Sequence, residues 1–382
     1  MMDESVNGPS FPEKLPEETG KRNPNFRDLG AMLHSKAREK GTPIEGTFEL
    51  TPLCNFSCRM CYVHLNTNQM KERSILPVDT WKDLMYQAWE AGMINCTLTG
   101  GECLTYPGFS ELFLYLHSLG CEVNVLTNGY LLDEKRIRFF QEHTPAAIQI
   151  TLYGWNDDIY ERVTGQRAFT TVVKNIRRAI DAELPIHVTI TPNKYLGEDL
   201  LETIRVAREL CKSVIINNHF TVPREETGRS GQQHDAETDL YIRALQYYYK
   251  LKGQETVPLS EEKLPPCGGP CHETSECGLL CGGGRSGFSI DWEGSMMPCQ
   301  NFQQIKGYPL KEGFAAAWSK VNREANLWPR IPECDGCAYE DVCNHCASNT
   351  LQFAEPGKVP TALCERTREM VRKGVLKIPN FE

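Results

Sequence analysis

From Gly46 onward the apolar positions alternate between two periods. Gly46 to Leu53 reads as a strand, and Trp81, Leu84, Met85 and Ala88 then share one helical face closed by Gly92. Ile94 to Thr99 is a second strand ending in Gly100-Gly101, and Phe109, Leu112, Phe113 and Leu116 mark a helix stopped by Gly120. Glu122 to Thr127 is a third strand, followed by a helix through Arg138, and Ala147 to Leu152 is a fourth. Val172, Ile176, Ala179 and Ile180 mark the next helix, Ile186 to Ile190 a fifth strand, Leu200, Ile204 and Ala207 a fifth helix, and Val214 to Ile216 a sixth strand. Strand–helix alternation at this rhythm predicts an α/β fold with a parallel sheet. Six units make a partial (β/α)6 barrel, two short of closure.

The flanks differ. Residues 1–42 are rich in Pro, Glu, Lys and Asn without sustained apolar periodicity, and predict a flexible entry with one short helix at most. The rhythm breaks near His219, and residues 219–265 are polar except for a helical stretch around Tyr241 to Tyr248. From Cys267 come Cys, Gly and Pro with few apolar runs. Such a segment lacks the means for an ordinary core, so the expectation is a domain folded around metal. The division is 1–42 entry, 43–218 partial barrel, 219–276 bridge and 277–382 cysteine-rich domain.

Charge and cysteine usage narrow the function. A net charge of −9 over 382 residues argues against nucleic acid as a partner. No apolar run is long enough to span a membrane and no signal-type core follows Met1, so the expectation is a cytoplasmic protein. Seventeen cysteines, an odd number in tight clusters, point to thiolate ligation of metal rather than disulfides.

The first predicted strand runs into a loop with Cys54, Cys58 and Cys61, spaced C-x3-C-x2-C. Three thiolates from one loop reach three corners of a 4Fe-4S cluster and leave the fourth iron without a protein ligand. An open position is what reactive metal sites require, and loops at the carboxyl ends of barrel strands are where active sites of this architecture lie. The rival is a zinc site lacking a distant fourth ligand.

With that loop and the repeats over about residues 46–217, the sequence resembles the radical SAM superfamily. The resemblance implies that the open iron chelates S-adenosylmethionine (SAM), whose reductive cleavage gives methionine and a 5′-deoxyadenosyl radical. A second motif strengthens it: Thr99-Gly100-Gly101-Glu102 resembles the family's Gly-Gly-Glu segment. There the glycines allow close backbone approach, and Glu102 is expected to accept from the SAM ammonium. Asn128 and Thr151, at later strand ends, are expected near the ribose, and Arg162 is a candidate carboxylate partner with a solvated helix face as its alternative. Two positions depart from the family: Met60 stands where an aromatic is common, and Cys103 where proline follows Gly-Gly-Glu.

The carboxyl-terminal cysteines resemble the SPASM extension, which holds two auxiliary 4Fe-4S clusters, although the gap between Cys343 and Cys346 is one residue shorter than usual. The resemblance assigns Cys334, Cys337, Cys343 and Cys364 to one cluster. Cys281, Cys299 and Cys346 go to the other with a fourth ligand upstream; Cys277 is chosen, with Cys271 and Cys267 competing. Closed four-thiolate sites suit electron transfer or structure. The rival here is a zinc knuckle, although zinc pairs usually stand roughly 15–20 residues apart.

The implied activity is modification of a peptide or protein side chain by crosslinking, thioether formation, epimerisation or oxidation, with a flavodoxin or ferredoxin as electron donor. Sulfatase maturation fits less well, because Gln300 replaces the acid that follows the cysteine matching Cys299. No winged-helix leader-binding domain is expected in 42 residues. The alternatives are a radical SAM enzyme acting on a small molecule and a non-catalytic iron–sulfur or zinc protein.

Overall fold

The structure, a computed structural model, describes residues 26–66, 68–71, 73–217, 236–265 and 278–378. Helix α1 (Phe26–Lys40) precedes β1 (Glu45–Glu49), and then come α2 (Val78–Glu90), β2 (Asn95–Thr99), α3 (Phe109–Ser118) and β3 (Glu122–Thr127). They are followed by α4 (Glu134–Glu142), β4 (Ala147–Thr151), α5 (Asp157–Thr164), α6 (Phe169–Asp181), β5 (Ile186–Ile190), α7 (Asp199–Leu210) and β6 (Val214–Ile216). Beyond lie α8 (Thr238–Leu251), β7 (Gly287–Ile290), β8 (Met296–Met297), α9 (Pro309–Glu312), α10 (Phe314–Asn326), α11 (Ala347–Thr350) and α12 (Thr361–Arg372).

The alternating pattern translates directly into β3, β5 and β6, which occupy the expected ranges. Strand β1 ends at Glu49 rather than Leu53 because the chain leaves the ladder for the cysteine loop. Two helices, not one, connect β4 and β5. Helix α5 is short but fully capped: the Asn156 side chain accepts from Ile159 N–H at its start, and left-handed Gly165 (φ 74°) ends it.

Six strands run parallel in the order β6-β5-β4-β3-β2-β1, and the sheet stays open. The carboxyl-terminal segment extends it. Strand β7 pairs parallel with β1 (Thr47 opposite Ser289), and β8 pairs antiparallel with β7. The expectation that residues beyond Cys267 cannot build an ordinary core is therefore corrected. Helix α10 buries Phe314, Ala317, Trp318, Val321 and Ala325. The Phe288 ring of β7 meets Phe48, Phe314 and Trp318 at centroid distances of 5.9, 5.3 and 6.1 Å. The signal was diluted because these apolar positions are few and two of the five on α10 are alanines.

The two faces of the sheet differ in a way that locates the site. Phe48, Cys96, Leu98, Val123, Val125, Ile148, Ile150, Val188 and Ile190 all belong to the core shared with the helices. Alternate residues point the other way, and apart from Leu126 and Ala147 they are mostly polar: Thr47 and Glu49, Asn95, Thr97 and Thr99, Asn124, Gln149 and Thr151, His187 and Thr189. Asn124 donates across strands to Asn95 Oδ1 at 2.8 Å. A parallel sheet normally buries apolar side chains on both faces; a polar inner face marks a surface that lines a cavity.

Phe288→Ala should destabilise the protein by about 3–5 kcal/mol, the usual cost of truncating a buried ring. Denaturant melts of the metal-free chain would check this, and a loss below 1 kcal/mol would mean that β7 is not part of the barrel core.

Candidate active site

The loop after β1 crosses the carboxyl ends of the strands and is tied down at several points. Ser57 N–H donates to Thr164 O (2.9 Å) and Arg59 N–H to Val163 O (3.1 Å), so the end of α5 holds the segment that carries Cys58. Leu65 N–H donates back to Pro52 O at 3.3 Å, closing the loop. Backbone donors reach the sulfurs: Phe56 N–H to Cys54 Sγ at 3.3 Å and His64 N–H to Cys61 Sγ at 3.2 Å. The Tyr153 hydroxyl bonds to Cys58.

Electrostatics say what this loop wants. Burial pushes the Cys54 thiol up to about 12, with the charges of Glu102 and Cys61 acting in the same direction. Cys58 is raised by burial and then by Cys61 and Cys54. Buried thiols crowded in this way give up their protons far more readily when something positive binds between them. Among the described residues no group of His, Cys, Asp or Glu converges on a point as a single metal ion requires. A zinc ion needs its donors about 2.3 Å from one centre, whereas a cube separates its ligands by its own width, so the donor set fits an iron–sulfur cluster better.

The glycine pair serves this loop. A Cβ at Gly100 would collide with Thr51 O, and one at Gly101 with the carbonyls of Pro52 and Leu53. Gly101 N–H donates to Thr51 O at 2.6 Å and Glu102 N–H to Leu53 O at 2.9 Å. Glu102 itself is buried and its carboxylate is occupied. Oε1 accepts from Leu104 N–H (3.0 Å) and the Thr127 hydroxyl (2.8 Å), and Oε2 from Asn128 N–H (2.7 Å). Burial raises its pKa, and those donors oppose the shift. Glu102 thus faces the protein rather than the cavity, and what it orients is Asn128. The Asn128 amide then donates to Asn55 Oδ1 (2.8 Å) beside Cys54.

A cavity of about 320 Å³ opens over the loop, lined by Cys54, Cys58 and Cys61 together with Gly100, Gly101, Asn128 and Thr151. Arg162 does not reach it. Its guanidinium lies on the outer side of α5, pairs with Asp199 and donates to Leu196 O at 3.2 Å; the solvated-face alternative is what the structure shows. Sequence reasoning missed Tyr153, Thr191, Asn217 and Asn301 in the lining. Three of them follow inward-facing strand positions, a signal available in the alternation.

Gln300 and Asn301 enter this cavity from the carboxyl-terminal region. The preceding Cys299 is raised to about 12 by burial, with Cys281 and Cys346 adding to the shift, so those three cysteines are neighbours. Cys277, Cys271 and Cys267 lie outside the described residues. Cys334, Cys337, Cys343 and Cys364 line a second, small hollow with His345 and Thr367. Burial pushes Cys334 up to about 12, and the other three cysteines act in the same direction.

Comparison with known proteins agrees with this geometry. The radical SAM superfamily profile matches residues 48–210. The chain carries a radical SAM domain. The sporulation killing factor maturation protein SkfB of Bacillus subtilis is 28% identical over 290 residues, 75% of this chain and 68% of that protein. The AdoMet-dependent heme synthase of Methanosarcina barkeri is 24% identical over 320 residues, 78% of this chain and 89% of that protein. Among solved structures, Streptococcus suis SuiB bound to the precursor peptide SuiA shares the fold with a TM-score of 0.63 at 15% identity, covering 92% of this chain and 84% of that one.

The radical SAM domain makes the chain an enzyme whose superfamily cofactors are SAM and a 4Fe-4S cluster. Its matched span begins within β1 and ends with α7, so Gln300, Asn301 and every cysteine from 281 onward lie outside the domain yet complete its cavity or flank it. Among the described residues no helix is long and apolar enough to cross a membrane.

Glu102→Ala should cost about 2–4 kcal/mol, because three buried donors lose their acceptor, and should release Asn128 from the cysteine loop. Melting of the metal-free variant tests this apart from turnover; an unchanged melt would return Glu102 to a purely ligand-facing role.

Proposed function

We propose that this radical SAM enzyme modifies a peptide or protein side chain, with Cys54, Cys58 and Cys61 holding a 4Fe-4S cluster whose fourth iron is left for SAM. The observation that carries the proposal is one cavity lined from two sides: the cysteine loop and strand ends on one, and Gln300 and Asn301, directly following Cys299, on the other. When bound, the cluster would supply the electron that breaks a carbon–sulfur bond of SAM. Gly100 and Gly101 present backbone to the methionine end, Asn128 and Thr151 offer polar contacts for the ribose, and Phe56 and Tyr153 shield the cluster loop from water. Glu102 acts as a positioning residue through Asn128, and Arg162 is assigned no part.

SkfB is by name a maturation protein, and SuiB has been seen with its precursor peptide; both support a peptide substrate. The described lining contains no carboxylate, Lys, Arg or His, so an acid–base residue of the kind sulfatase maturation uses is absent from it. This favours reactions in which a substrate radical loses its electron to a nearby acceptor. Cys281, Cys299 and Cys346, with Cys277, Cys271 or Cys267 as fourth ligand, would hold that acceptor cluster, and Cys334, Cys337, Cys343 and Cys364 a second one. We further propose a flavodoxin or ferredoxin as electron source, and the cytoplasm as compartment; every described cysteine is a free thiol, as a reducing compartment keeps them. The similarity to a heme synthase favours, as second reading, a small-molecule substrate in the same cavity.

Three outcomes test the reading. Anaerobically reconstituted protein with dithionite and SAM should form 5′-deoxyadenosine, and Cys54→Ala, Cys58→Ala and Cys61→Ala should each abolish it; cleavage retained in all three would refute the ligand assignment. A precursor peptide should raise the yield and change mass by loss of hydrogen, whereas a porphyrin precursor doing so instead would select the second reading. Replacing Cys334 and Cys337 together should lower bound iron and the melting temperature of the loaded protein, because ligation supplies folding free energy there; unchanged iron would require other ligands.

A further inference from the structure

The reaction proposed above draws one electron from outside, and the surface carries a feature suited to its delivery. A groove of about 530 Å³ runs between α6 and α7 and shares no lining residue with the cavity at the strand ends. Its floor is apolar, with Phe169, Val173, Val206 and Leu210. Its rim carries Lys174, Arg177 and Arg178, all exposed and none in an ion pair among the described residues. The acid in the groove, Glu209, is already paired with Arg205. Three unneutralised cations on one helix, in a chain of net charge −9, form a local inversion of the protein's field.

The groove also leads somewhere. The Phe169 ring, at the start of α6, lies 6.0 Å from the Tyr160 ring of α5, and Tyr160 lies 6.0 Å from Tyr153. Tyr153 hydrogen-bonds to Cys58, and Phe56 packs 6.4 Å from both tyrosines. A packed row of rings therefore joins the groove to the cysteine loop, reaching the substrate cavity only at its inner end, where Tyr153 and Phe56 line it.

We infer that the α6–α7 groove is the docking surface for a small acidic electron-transfer protein, whose electron reaches the cysteine loop through Phe169, Tyr160 and Tyr153. The inference rests on the proposed function. One electron leaves the donor's reduced flavin or iron–sulfur centre and arrives at the cluster held by Cys54, Cys58 and Cys61; no bond forms or breaks and no proton moves. A substrate peptide is the less fitting occupant, because a segment bound in this groove contacts none of the residues around the cavity. A second basic spot, where Arg59 and Lys194 each stand 5.4 Å from the Tyr195 ring, serves as the comparison site.

The test uses the reconstituted holoenzyme and a purified bacterial flavodoxin. The triple variant Lys174→Glu, Arg177→Glu and Arg178→Glu changes exposed residues only, and its fold is checked by melting and iron content. Flavodoxin binding to the wild type, read by calorimetry at low salt, should weaken as salt rises. The triple variant should bind roughly tenfold or more weakly, the scale of electrostatic steering. Flavodoxin-driven 5′-deoxyadenosine formation should fall in parallel, while dithionite-driven formation stays at the wild-type rate. Unchanged flavodoxin binding in the triple variant would overturn the inference, as would loss of binding in Lys194→Glu alone. Loss of precursor-peptide affinity with flavodoxin binding intact would assign the groove to substrate and overturn it equally. Absence of dithionite-driven cleavage in the wild type would instead sink the proposed function itself.

Discussion

Three cysteines crowd one loop, and much of the domain is arranged around the unfavourable electrostatics that result. Cys54 and Cys58 are pushed up by burial and by each other's neighbourhood. A positively charged metal cluster turns this unfavourable arrangement into a binding site, because the same like-charge crowding that penalises free thiolates rewards their ligation. The loop has to be held in place without it. Backbone bonds to the end of α5, the Gly100–Gly101 contact and the Asn128–Asn55 amide pair do so from three sides.

Glu102 shows how such a scaffold is kept rigid. A buried carboxylate is costly unless its oxygens are satisfied, and here three donors from two neighbouring turns converge on it. The arrangement links the end of β2 to the end of β3 and fixes the asparagine beside the first cysteine. Conformational freedom that SAM would otherwise have to remove is already gone before it binds.

The open edge of the sheet explains why the carboxyl-terminal region belongs to the same machine. Strand β7 takes the place beside β1, burying Phe288 against Phe48, and thereby brings Cys299, Gln300 and Asn301 to the mouth of the barrel. A partial barrel with a polar inner face leaves room for a substrate larger than a buried core would admit. The basic groove lies between α6 and α7, and it shares no lining residue with the substrate cavity.

Local pattern was enough to read the parallel strands, most helices and the C-x3-C-x2-C loop. Each of these is a matter of spacing within a short window, governed by side-chain periodicity or by the reach of one loop. Tertiary contact alone decided the rest. Arg162 turned outward to pair with Asp199 of α7, and Glu102 was claimed by the Thr127 hydroxyl and Asn128 N–H at β3's end together with Leu104 N–H. Strand β7 joined the barrel because its few apolar residues meet partners from α10 and β1 that lie far away in the chain. Asn301 became a cavity residue by the same kind of long-range meeting. Sequence spacing sets which groups are available; the direction in which a side chain turns depends on competing partners that only the folded chain brings within reach.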